Sequence, residues 1–182
     1  MVIRELTREE CLRVLAGPRL ARLACASMNQ PYVVPVYLAY HQSPDDHSCF
    51  YGFTTHGQKV EWMRSNPLVC VQLDEIASID QWVSVIVFGR YEELPDTSAS
   101  NIGRRPALEI MGEHFFEAAP HVAAQDSELR FAHEVLSARA MWWEPAATAR
   151  AAGTHQGQYQ PIFYKILIDQ VTGHEATQEP VR

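Results

Sequence analysis

The sequence has no stretch near the roughly 18 uninterrupted apolar residues that a membrane helix requires, so no membrane-spanning helix is expected. It is short of positive charge: 15 Lys and Arg stand against 22 Asp and Glu, a formal net charge of -7. Nucleic-acid binders carry the opposite balance, so a nucleic-acid partner is not expected, although a local basic pocket for one small anion is compatible with it. Cysteine is sparse and dispersed, at Cys11, Cys25, Cys49 and Cys70, with no C-x-x-C pair. That pattern fits free thiols in a reducing compartment. There is no G-x-S-x-G elbow, no G-x-G-x-x-G fingerprint and no H-E-x-x-H, so a nucleophile-elbow hydrolase, a dinucleotide fold and a zinc protease lose their usual signatures. His114, His121 and His133, with Glu113 and Glu117 nearby, lack tight ligand spacing and are read as surface groups; no metal site is expected. Internal repeats and low-complexity tracts are absent as well. Met1 to Glu10 carries acidic residues and no long apolar core, which does not read as a signal peptide, so a cytoplasmic protein is expected.

What is present reads as one soluble globular domain over residues 1–182, with 47% hydrophobic and 20% charged residues. Thr7 and Glu10 stand at capping-box spacing, Leu6 before them can pack on Cys11, and Gly17-Pro18 supplies a stop; these predict a short first helix. Strand signals follow at Arg19 to Ser27, Pro31 to His41, Cys49 to Phe53, Leu68 to Leu73, Trp82 to Tyr91 and Ile162 to Val171, the last closed by Gly173. Asn29-Gln30-Pro31 and Ser43-Pro44-Asp45-Asp46 read as turns. Pro35 cannot donate a ladder hydrogen bond, which points to an edge, a bulge or a ligand-facing stretch. Short turns favour an antiparallel meander or barrel over βαβ units. Gln58 to Ser65 reads as a short helix with Val60 and Met63 on its apolar face. Between about 96 and 160 a helical insertion is expected, with helices at Pro106 to Phe116 and Ser127 to Ala140, then a loop at Ala146 to Gln160.

The most informative stretch is Tyr51-Gly-Phe-Thr-Thr-His-Gly-Gln-Lys-Val60. A strand ends in hydroxyls, passes through a glycine and enters a helix with lysine in its first turn. Free N-H groups at a helix start, hydroxyls on Thr54 and Thr55, a close backbone approach at Gly57 and the charge of Lys59 together suit a phosphate. An ordinary helix start accounts for the same residues equally well. His56 in that turn is a candidate proton donor, set against a plain exposed turn histidine.

PYVVPVYLAY, YGFTTHGQKVEWMRSNPLVCVQLDE, WVSVIVFGRYEELPD and the closing FYKILIDQVTGHEA occur in that order, and together they resemble the FMN-binding split-barrel proteins related to pyridoxamine 5'-phosphate oxidase. The nearest likeness is to the subgroup that includes the nitroimidazole-resistance reductases. The resemblance implies an α+β, mainly β fold: a split β-barrel of antiparallel strands with flanking helices and a helical insertion. It implies FMN as cofactor, a homodimer with two flavins at its interface, and a small-molecule substrate oxidised or reduced at the flavin. Val34, Pro35 and Val36 would line the isoalloxazine ring; Phe53, Thr54 and Thr55 would reach the ribityl chain and phosphate; Gly57, Gln58 and Lys59 would complete the grip. Trp82 and Ser84 would approach from the partner subunit or beside it, and Trp142-Trp143 would cover the flavin or the dimer seam. The ending VTGHEATQEPVR lacks the basic substrate-phosphate motif of the vitamin B6 oxidases, so that reaction is not expected. The same barrel would equally serve a non-catalytic flavin or haem carrier or sensor, or hold FAD or a deazaflavin.

Overall fold

The computed structural model describes residues 1–17, 20–42, 48–94, 127–132, 134–136 and 162–178. Strand β1 (Val2–Glu5) leads into helix α1 (Arg8–Leu15), which starts where the capping box places it. The Glu10 backbone N-H donates to Thr7 Oγ1 at 3.3 Å and the Thr7 N-H donates to Glu10 Oε2 at 2.8 Å. Arg4 grips the same carboxylate through two nitrogens at 3.0 and 2.9 Å, and this contact, with the Thr7 N-H, pulls the Glu10 pKa down to about 2. Leu6 and the buried Cys11 pack into one core, as the staple predicts.

The remaining strands are β2 (Leu20–Ser27), β3 (Gln30–Tyr37), β4 (Ala39–His41), β5 (Cys49–Thr54), β6 (Leu68–Ser78), β7 (Gln81–Glu93) and β8 (Ile162–Thr177), with helix α2 (Gln58–Ser65) between β5 and β6. All pairings are antiparallel and the order is β3-β2-β6-β7-β8-β5-β4, with β1 added to the far end of β8. The two ends of this sheet, β3 and β4, are separated in the chain by Leu38 alone. The sheet must therefore curl until its ends meet, which makes the split barrel. The stretch Pro31 to His41, read as one strand, is divided there because its first half pairs with β2 and its second with β5. Pro35 sits on β3, which pairs on one side only, where its missing N-H costs no ladder bond.

Other boundaries differ from the sequence expectation. The β2–β3 turn is Met28-Asn29, with φ of 47° and 62°, a two-residue turn whose twist suits the hairpin; Pro31 already lies in β3. Gly173 does not close the last strand: β8 runs on to Thr177, and a Cβ at Gly173 would lie 2.8 Å from Cys11 Sγ. Its role is to let α1 approach the sheet. Strand β1 has no signal beyond four residues, and it exists because β8 extends far enough to pair with it.

Alternation places Leu23, Val71, Val85, Val87, Tyr164 and Ile166 inside the barrel, where α1 and α2 add Leu15 and Met63. A second cluster on the outer side of β5 and β8 joins Tyr51, Phe53 and Phe163 to Ala132 and Leu136, which lie in the helical residues 127–132 and 134–136. These belong to the helix expected at Ser127 to Ala140. The expected helix at Pro106 to Phe116, the loop at Ala146 to Gln160, Trp142-Trp143, the turn at residues 43–46 and the group His114, His121 and His133 with Glu113 and Glu117 lie outside the described residues.

Candidate functional site

The turn from Thr54 to Lys59 carries the chain from the end of β5 to the first residues of α2, which packs across β2. Three contacts on the far side hold the helix. Trp62 meets Tyr32 of β3 edge to face at 5.6 Å between ring centres. Asn66 Nδ2 donates to the Ala26 carbonyl at 3.0 Å, and Arg64 binds Glu93 of β7 through two nitrogens at 2.8 and 2.7 Å. Val60 and Met63 are buried beneath, which explains their spacing.

At its start α2 is bare. Gly57 is the N-cap and makes no side-chain hydrogen bond, so the first turn keeps N-H groups for solvent or a ligand. A Cβ built on Gly57 would meet no atom within 4 Å, and Thr55, His56, Gly57 and Gln58 are all exposed. Thr54 is half-buried, and among the described residues its hydroxyl makes only a long contact, 3.4 Å, to the Thr55 carbonyl. Lys59 lies half-buried against β2. Burial pushes its ammonium pKa down, and the titratable neighbour that bears on it is the buried Cys25 thiol; no carboxylate among the described residues does. A half-desolvated cation without a counter-ion among the described residues, beside an uncapped helix start, is an arrangement that an anion stabilises.

The structure distributes the other sequence-derived residues over both faces of the sheet. Val34 and Val36 are cross-strand partners of Leu23 and Ala21, and their side chains pack on the barrel core. Pro35 faces outward opposite Arg22. Trp82 and Ser84 lie on the same outer face, since Ser84 pairs with Asp74 and Trp82 with Ile76. Phe53 points into the second cluster, 6.2 Å from Phe163 between ring centres, beneath the helical residues. Within this chain, therefore, the turn Thr54–Lys59 forms a unit with β2 and β3, while Trp82 and Ser84 lie two and more strands away. His56 is exposed beside Glu93, whose carboxylate the Arg64 guanidinium holds below its usual range.

Two features escaped the sequence reading. One is a polar strip on the outer face: Arg22 Nη1 donates to Gln72 Oε1 at 2.9 Å and to Asp74 Oδ1 at 2.5 Å, and Gln72 Nε2 donates to Ser84 Oγ at 3.4 Å. The only signal for it is the single charge in the alternating run LARLACAS. The other is the apolar surround of that strip, in which Val33, Leu68 and Phe88 are 59%, 63% and 48% exposed. Among the described residues no group of three His, Cys, Asp or Glu side chains is placed to hold a metal ion, and no helix is long and apolar enough to cross a membrane.

Residues 7–140 match the family described as pyridoxamine 5'-phosphate oxidase. The chain is 36% identical over 176 residues to the uncharacterised protein RA0666 of Rhizobium meliloti (strain 1021), covering 97% of each. Among solved structures it is similar to a FAD-binding protein (mll6688) of Mesorhizobium loti, with 38% identity, a TM-score of 0.63, and coverage of 97% of this chain and 100% of that one. The FAD binding protein of Mycobacterium smegmatis matches at 16% identity and a TM-score of 0.56, over 98% and 100% of the two chains, which is a likeness of fold alone.

Proposed function

The chain belongs to the pyridoxamine 5'-phosphate oxidase family, and on that premise we propose that it binds a flavin through the turn Thr54–Lys59 and acts as an FMN-dependent oxidoreductase on a small organic molecule. The observation that carries this reading is Lys59: a half-buried ammonium with no carboxylate among the described residues bearing on it, in the first turn of a helix whose N-cap, Gly57, makes no side-chain hydrogen bond. The flavin, when bound, supplies the electron transfer. The protein's part is to hold it. Lys59, the free N-H groups of α2 and the hydroxyls of Thr54 and Thr55 grip the phosphate, with Gly57 and Gln58 shaping the turn. Pro35 borders the ring along the edge strand, Val34 and Val36 do so through their backbone because their side chains pack on the barrel core, and His56, exposed in the same turn, is the candidate proton donor.

FAD is the second reading, favoured by two observations. The turn is open, with four consecutive exposed residues from Thr55 to Gln58, which leaves room beyond the first phosphate. The Mesorhizobium loti relative, at 38% identity, is a FAD-binding protein. We also propose a homodimer built on the outer sheet face. A contiguous apolar patch rimmed by polar groups is the usual mark of a protein contact, and a partner subunit there would bring its own Trp82 and Ser84 to the ring.

Purified protein is expected to be yellow, and mass spectrometry of the released cofactor separates FMN from FAD. A colourless protein that takes up neither on addition refutes the flavin reading. Reduction of nitro or quinone compounds with NAD(P)H supports the enzyme; a stable yellow protein that never turns over supports the carrier instead.

A further inference from the structure

We infer that the helical residues 127–132 and 134–136 are a clamp on the turn Thr54–Lys59: they hold the end of β5 from its outer face, so that their docking and flavin binding strengthen each other. This coupling rests on the flavin reading above.

Strand β5 delivers Thr54 to the turn, and its side chains grip the fold unevenly. Phe50 is its last side chain in the barrel core. Gly52, next on that face, has none; a Cβ there would lie 2.6 Å from the Tyr164 hydroxyl and 2.9 Å from Leu38 Cδ2. Tyr51 and Phe53 point the other way, into the second cluster, where Ala132 and Leu136 cover them. The last side-chain grip before the turn therefore comes from the face that the helical residues close. What remains beside it is the end of the ladder with β8, Phe53 opposite Phe163 and Thr54 opposite Ile162, and strand ends are where local opening is cheapest.

Among the described residues, the buried side chains of 127–136 belong to this second cluster and none to the barrel core, so they can undock while the barrel stays folded. Two contacts fix where they sit. Lys165 is the cross-strand partner of both Tyr51 and Glu92 and is only 18% exposed. Its Nζ donates to Glu128 Oε1 at 2.7 Å and lies 3.4 Å from Glu92 Oε2, so one lysine ties the helical residues to the strands beneath. Phe131 stands edge to face against His41 and Tyr51, with 4.7 and 5.9 Å between ring centres. Tyr51 thus meets the clamp two residues before Phe53 and three before the turn begins. By linkage, the factor by which docking tightens flavin binding is the factor by which flavin tightens docking.

Amide hydrogen exchange, read by mass spectrometry on wild type and Lys165→Met with and without saturating FMN, tests the coupling. In wild type, FMN is expected to slow exchange in peptides spanning 127–136 by about fivefold or more, as well as in the turn itself. Lys165→Met keeps an apolar stem and removes the charge that holds Glu128. It is expected to speed exchange over 127–136 and to raise the FMN dissociation constant by up to the same factor, while β6 and β7 exchange as in wild type. Protection confined to the turn in wild type overturns the clamp, and that result needs no variant to fold. Unchanged FMN affinity in Lys165→Met, with 127–136 exchanging faster, overturns it as well. Wild-type protein that takes up no FMN overturns the flavin reading instead, an outcome distinct from the other two.

Discussion

Replacing Lys59 by methionine separates what the residue does for folding from what it does for binding. In the folded chain its ammonium is half-buried and no described carboxylate bears on it, so burial works against the charge. Methionine keeps the length of the side chain and removes the charge, and the apolar contacts against β2 are retained. Stability of the apo protein is therefore expected to stay within about 0.5 kcal/mol of wild type or to rise. Flavin affinity moves the other way. A charge-assisted contact to phosphate is worth roughly 1.5–3 kcal/mol, so the dissociation constant should increase about 10- to 150-fold. The pH dependence carries a sign as well. Burial depresses the Lys59 pKa in the folded apo protein, so between that value and the unfolded one the unfolded chain holds more protons, and apo stability from this group rises with pH. Phosphate needs the protonated form, so wild-type affinity should fall as pH climbs through the depressed pKa, with proton uptake on binding below the pKa of the complex. Lys59→Met should lack this dependence. Flavin fluorescence titrations at several pH values, with urea melts of the apo proteins, supply both readings. Unchanged affinity in Lys59→Met would place the phosphate elsewhere, and a large loss of apo stability would show that the lysine is structural.

Gly89→Ala tests the bulge between β7 and β8: the new Cβ would lie 2.2 Å from the Leu167 carbonyl oxygen, which is backbone and has little room to yield. A loss of about 3 kcal/mol or more is expected, at or beyond the upper end of ordinary overpacking, and a melt within about 0.5 kcal/mol of wild type would contradict the register described. Phe88→Glu places a charge in the middle of the exposed outer face. It is expected to leave the barrel folded, shift sedimentation towards a monomer and weaken flavin retention. A dimer that persists unchanged would move the interface to another face.

Much of the fold was legible in the residues themselves. The capping box at Thr7 and Glu10, the buried pair Val60 and Met63, and the alternation in β6 and β7 act over a few residues, and short-range chemistry decided them. The strand–glycine–helix junction at Thr54 to Lys59 was legible for the same reason: a strand end, a glycine and a helix start are local events. The division of residues 30–41 at Leu38 was not, because which strand each half pairs with depends on the curl of the whole sheet. Nor was the continuation of β8 past Gly173, where a glycine that looks like a stop is the place where Cys11 of α1 touches the strand.

The sequence alone determined antiparallel strands joined by short turns and the strand-to-helix junction at Thr54 to Lys59, since those properties follow from side-chain period and local backbone chemistry, while the barrel itself was implied by the family resemblance. Only the tertiary structure decided that Lys59 has no described carboxylate beside it, that Pro35, Arg22 and Ser84 share one face while Val34 and Val36 share the other, and that an apolar surface surrounds them. A one-residue change of register exchanges the two faces of a strand, and register is set by partners far away in the chain.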